Sequence, residues 1–61
     1  MSNNLTVGSF VKSERVKKGF SIPEVSKMAG VSVSTVSETE NDIHLPKLNT
    51  LVKMLNALNE S

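Results

Sequence analysis

Side chains capable of covalent or metal chemistry are almost absent from this chain. It has no cysteine and a single histidine, His44. A thiolate nucleophile and a Cys/His or multi-histidine metal site are therefore excluded. No glycine loop with phosphate-cradling spacing and no carboxylate pair placed for acid–base work accompanies that histidine. The sequence is read as non-enzymatic, with no cofactor and no metal. What remains is the chemistry of recognition: hydroxyls, lysines and the amides at helix starts. Hydroxyls are densest in Ser32-Val33-Ser34-Thr35-Val36-Ser37-Glu38-Thr39. A hydroxyl both donates and accepts, so such a row can meet either kind of polar edge.

Charge is unevenly spread over this row and its flanks. The net charge is only +1, but residues 1–37 hold five basic side chains against two acidic ones, and residues 38–61 hold two against four. An anionic partner should meet the first part of the chain. Glu38, Glu40 and Asp42 would suit a basic protein partner instead. No apolar run approaches the ~20 residues that span a bilayer, and no charged-then-apolar leader opens the chain. No membrane association is expected, and a cytoplasmic, nucleoid-associated location is.

The elements that must position these groups are short helices. A chain of 61 residues is one domain, and without disulfides it depends on regular helix packing or on partners. Residues 1–5 are expected to be a flexible N-terminus and 6–59 the domain. A first helix is predicted over 7–18: Thr6 caps it, Leu5 and Phe10 form a hydrophobic staple, and Val7, Val11 and Arg15 follow one inner line. Lys17 and Lys18 suit its negative end, and Gly19 stops it. A second helix, 22–29, starts on the Ser21/Glu24 capping box with Pro23 in its first turn, buries Val25 and Ala29, and ends at Gly30. The third, 33–40, is capped by Ser32 and stopped by Asn41-Asp42. Its serines, threonines and valines are poor helix formers, so its neighbours must hold it. The fourth, 48–57, carries a wide apolar stripe of Leu48, Leu51, Val52, Leu55 and Leu58, with Asn59 at its end.

Two short helices joined by a tight turn at Gly30, flanked by one helix on each side, make a helix-turn-helix arrangement. The order Gly19-Phe20-Ser21-Ile22-Pro23-Glu24-Val25-Ser26-Lys27-Met28-Ala29-Gly30-Val31-Ser32, followed by Thr35-Val36-Ser37, Glu40, Pro46 and Leu51/Leu55/Leu58, resembles the lambda-repressor/Cro-like (XRE-type) family. The resemblance covers Val7 to Asn59. It implies an all-α compact bundle of four short helices with a central helix-turn-helix, the family's frequent fifth helix being absent. It also implies sequence-specific binding of double-stranded DNA, with repression through a palindromic operator as the leading role. From the family, Arg15 and Glu40 are expected to form a partly buried ion pair.

In this motif the second helix of the pair enters the major groove, N-terminal residues nearest the bases. With Val36, Thr39 and Glu40 turned inward, Val33, Ser34, Ser37 and Glu38 are the readout candidates. Val33 suits a thymine methyl, the serines suit either base edge, and Glu38 suits cytosine N4. Phosphate contacts are expected from the amides around Ile22, Pro23 and Glu24, where the helix start favours anions but Pro23 removes one donor. Lys12, Lys17, Lys18, Lys27, Asn41, His44 and Lys47 are the side-chain candidates. A symmetric operator needs a homodimer, for which Leu55, Leu58 and Asn59 are the candidate contacts.

The chain departs from the family at Ile22, usually glutamine, at Glu38, usually basic or an amide, at Thr39, usually larger and apolar, and at Asp42, usually glycine. These changes weaken generic attraction to DNA. They leave open an alternative, a protein-binding module such as the antitoxin of a toxin–antitoxin pair, with or without autoregulatory DNA binding. A toxin or a polymerase would then be the protein partner.

Overall fold

The computed structural model describes residues 6–59. The flexible stretch expected over 1–5 falls outside them, and with it Leu5 of the expected staple. The described residues form α1 (Val7–Lys17), α2 (Ile22–Ala29), α3 (Val33–Glu40) and α4 (Leu48–Asn59), with no strand among them. α1 stops one residue before the expected end because Lys18 serves as its C-cap, and α4 runs on to Asn59 rather than stopping at 57.

Local chemistry accounts for most of the boundaries. The Thr6 side chain accepts the Ser9 amide at 3.0 Å, and the Ser9 hydroxyl accepts the Thr6 amide at 2.9 Å, a reciprocal cap of two otherwise orphaned donors. Gly19 takes φ +78°, which lets the Phe20 amide reach back to the Arg15 carbonyl at 3.0 Å and close α1. Ser21 and Glu24 repeat the reciprocal cap at α2, and Ser32 accepts the Thr35 amide at 3.0 Å to start α3. Gly30, at φ +72°, turns the chain between α2 and α3.

The core takes one fully buried side chain from each helix: Val11, Val25, Val36 and Met54. Ala29, Ala57 and Leu58 complete it, and Phe20, Ile22, Val31 and Leu51 pack against it. The inner face of α4 is thus Leu51, Met54, Ala57 and Leu58. This corrects the expected stripe, because Leu48 is 76% and Val52 44% exposed. The apolar arc of α4 is wider than its contact, and the helix is turned so that only one side of the arc is covered.

α1 is also turned relative to expectation. Its inner line is Gly8, Val11 and Arg15, while Val7 stands at the surface. At Gly8 an added Cβ would collide with the Thr39 carbonyl oxygen and would lie 2.6 Å from Asp42 Oδ1 and 2.8 Å from the Glu40 carbonyl oxygen. The absent side chain lets the first turn of α1 lie directly on the end of α3. Asp42 locks that contact: it adopts φ +59°, and its carboxylate accepts the Thr6 hydroxyl at 2.8 Å and the Gly8 amide at 3.2 Å. A carboxylate there also meets the positive end of the α1 dipole. No helix among the described residues is long and apolar enough to cross a membrane.

Replacing glycine by alanine inside a helix ordinarily stabilises it by roughly 0.5–1 kcal/mol. Gly8→Ala is expected to do the opposite. The methyl group has no room, so stability should fall by about 1–3 kcal/mol, read as a lower urea midpoint with an unchanged slope.

Candidate nucleic-acid interface

Positioning of α3 begins with one guanidinium. Arg15 donates from Nε to Glu40 Oε2 at 2.7 Å, from Nη2 to Glu40 Oε1 at 3.1 Å and from Nη1 to the Phe20 carbonyl at 2.9 Å. One side chain thereby ties α1 to the end of α3 and to the segment entering α2. The two side chains are only 13% and 3% exposed. The hydrogen bond from Arg15 to Glu40 raises the guanidinium pKa, with the charge of Glu40 helping and burial opposing. Burial disfavours the ion, and the Glu40 carboxylate more than offsets it.

The α2–α3 turn is set by Ser26. Its carbonyl accepts the Gly30 amide at 2.9 Å and the Val31 amide at 3.1 Å, and its hydroxyl donates to the Val31 carbonyl at 2.5 Å. These bonds fix the angle at which α3 leaves α2. With Val36, Thr39 and Glu40 buried, α3 presents its first turn outward. Val33 is 48% exposed and Ser34 is exposed, whereas Ser37 and Glu38 are half-buried. Ser32 and Thr35 share a hydroxyl–hydroxyl bond of 2.8 Å beside this surface, and Asn41 Nδ2 donates to the Ser37 carbonyl at 2.8 Å behind it. The four readout candidates thus fall into an open pair, Val33 and Ser34, and a more enclosed pair, Ser37 and Glu38.

Of the three acids in this segment, Asp42 is exposed, Glu38 half-buried and Glu40 buried. Glu40 is enclosed with Arg15, and the Asp42 carboxylate is engaged by Thr6 and Gly8.

The phosphate candidates separate in a similar way. At the start of α2 the Glu24 amide already donates to Ser21 Oγ at 3.2 Å, and Pro23 has no N–H to give. Of the three positions, only Ile22 keeps an amide outside the capping box, and the Glu24 carboxylate bound to the Ser21 amide at 2.7 Å stands beside it. The anion site expected there is reduced accordingly. Lys12, Lys27, Asn41, His44 and Lys47 are exposed. Lys17 lies 3.9 Å from Glu14. Lys18 lines a groove walled by α1 and α4 alone, so it is not gathered with α2 and α3. Among the dimer candidates, Leu58 is 2% exposed and belongs to the core, while Leu55 is half-buried and Asn59 exposed.

Three positioning residues were not singled out from the sequence. Gly8 left a signal, a glycine inside a predicted helix with no turn to justify it. Ser9 completes a cap three residues after Thr6, a weaker form of the Ser/Thr-x-x-Glu signature. Ser26 gave none, because its role depends on where Val31 returns.

A family model described as helix-turn-helix matches residues 11–61. No curated protein and no solved structure matches the chain.

Scaffold and surface should separate cleanly in stability measurements. Arg15→Ala strands the buried Glu40 carboxylate and is expected to cost about 3–5 kcal/mol. Ser34→Ala should stay within about 0.5 kcal/mol of the parent. Thermal unfolding of both variants checks this, and equal, small effects would refute the role given to Arg15.

Proposed function

The chain belongs to the Cro/C1-type helix-turn-helix family, and we propose that within it this protein is a transcriptional repressor that reads a palindromic operator through the major groove. The family is one of DNA-binding regulators rather than enzymes. The observation that supports the reading best is the outward first turn of α3, Val33 and Ser34, carried on a helix whose other side is anchored by Val36, Thr39 and the Arg15–Glu40 pair. A helix held from behind with a free N-terminal turn is what insertion into a major groove requires.

The readout surface has an unusual character. α3 contains no lysine or arginine, so its contribution comes from apolar and hydrogen-bonding contacts rather than from charge. Val33 packs on a thymine methyl, Ser34 bonds a base edge, and Glu38 accepts from cytosine N4. Backbone affinity then comes from lysines elsewhere, with Lys12, Lys27 and Lys47 as the exposed candidates. Phosphate contacts orient the protein without specifying sequence.

The decisive experiment is fluorescence anisotropy of labelled DNA from upstream of the gene, titrated at two salt concentrations beside a scrambled duplex. A preference of ~10³-fold or more for the native duplex is expected of a specific reader, with affinity falling as salt rises because each neutralised phosphate releases counterions. Absence of any preference would overturn the reading. A finer test follows from Glu38. Glu38→Gln exchanges an acceptor for an amide that pairs with adenine, so the preferred base at one operator position should change from cytosine to adenine, by roughly 1–3 kcal/mol of discrimination. Base-substituted duplexes measure it.

A further inference from the structure

From Met28 to Pro46 the chain has no lysine or arginine, and that stretch holds the turn before α3, the whole of α3 and the loop that follows it. Its acids are Glu38, Glu40 and Asp42. Arg15 neutralises Glu40 from outside the stretch. Asp42 is placed differently. Its carboxylate accepts the Thr6 hydroxyl and the Gly8 amide, which satisfy its oxygens without cancelling its charge. The residue is exposed, and no salt bridge among the described residues includes it.

His44 is the one side chain in the stretch able to carry a positive charge. It is exposed, and it lines a small hollow with Val7 of α1, Thr39 of α3, and Asp42, Leu45 and Pro46 of the loop. Asp42 is the charged group of that lining. Histidine is also the side chain whose charge ordinarily changes between pH 5 and 8. Its position relative to DNA follows from α3. The base-facing residues are in the first turn of that helix, and its far end is about 12 Å away, more than the ~8.5 Å depth of the major groove. For a helix that enters N-terminus first, the residues after α3 stand at the level of the phosphates.

We propose that His44 makes DNA binding depend on pH: as an imidazolium it offsets Asp42 and meets a backbone phosphate beyond the end of α3, and as a neutral ring it leaves the carboxylate unopposed. The inference rests on the reading of this surface as DNA-facing and adds a means of regulating it. Binding takes up a proton, so affinity rises as pH falls and is lost as pH rises through the imidazole's range. The device is local to this loop, because neither α3 nor the loop carries a permanent cation that would mask it.

Fluorescence anisotropy at pH 5.5 and 7.5, with the upstream and scrambled duplexes and two salt concentrations, provides the test. The parent should bind about fivefold tighter at the lower pH, the size given by one contact that prefers the imidazolium about tenfold. A phosphate contact carries no sequence information, so the gain is expected on both duplexes. The dependence of log affinity on log salt should steepen on acidification by up to about 0.9, for one more neutralised phosphate. His44→Gln stays neutral and should abolish the gain. His44→Lys stays charged and should bind at pH 7.5 as the parent does at 5.5. Because His44 is exposed, both variants should keep the helix content of the parent. Equal affinity of the parent at the two pH values, or a gain that survives in His44→Gln, overturns the proposal. The two readings fail separately. Operator preference without pH dependence removes the role of His44 and keeps the regulator. A His44-dependent gain on both duplexes without any preference between them keeps the role of His44 and removes the operator reading. Absence of binding to either duplex at low salt overturns both.

Discussion

The arrangement of this small domain depends on a buried charge. Arg15 is nearly desolvated, and burial of an unpaired guanidinium would cost several kcal/mol. The fold answers with three bonds that end on two different segments, the Glu40 carboxylate and the Phe20 carbonyl. Each of these fixes a direction. Glu40 sets the end of α3 relative to α1, and Phe20 sets where the chain enters α2. A hydrophobic contact of similar area would hold the helices together but would tolerate sliding. A bidentate pair does not, because both nitrogens must face both oxygens at once. For a reading helix, whose contacts need placement to a fraction of an ångström, that intolerance is the useful property.

The same end of α3 is fixed a second time by backbone contact. Gly8 brings α1 against the Thr39 and Glu40 carbonyls, and Asp42 reaches from beyond α3 to the Thr6 hydroxyl and the Gly8 amide. A left-handed aspartate costs more than a glycine would in that conformation. The carboxylate offsets this by capping α1, which has no acidic residue in its first turn. The residue that looked from the sequence like a liability toward DNA is thus a structural link. Glu40 and Asp42 are thus both engaged in holding the end of α3 against α1.

What was legible in the sequence was local. Thr6, Ser21 and Ser32 as caps, and Gly19 and Gly30 as left-handed stops, act within one turn of themselves, so their spacing alone carries the information. The extra two residues of α4 and the Lys18 cap are small shifts at frayed ends. What was not legible was rotation. α4 has apolar side chains over a wider arc than the core can cover, and periodicity does not say which edge of that arc is taken. Met54 and Ala57 decide it, one filling the centre fully and the other bringing little bulk, and they swing Leu48 and Val52 to the surface. In α1 the cue was misread because a valine outranks a glycine in any hydrophobic pattern, yet backbone contact at Gly8 required the absence of a side chain. The Arg15–Glu40 pair came through only by resemblance, since nothing in the spacing of two charges 25 residues apart announces a contact.

These points bear on how function is divided over so short a chain. α3 has eight residues, six of them serine, threonine or valine, which have little intrinsic helicity. It is helical because Val36, Thr39 and Glu40 are gripped from α1 and α2. Its outward positions therefore contribute almost nothing to stability and can vary with the sequence to be read. The inward positions contribute nearly all of it and cannot.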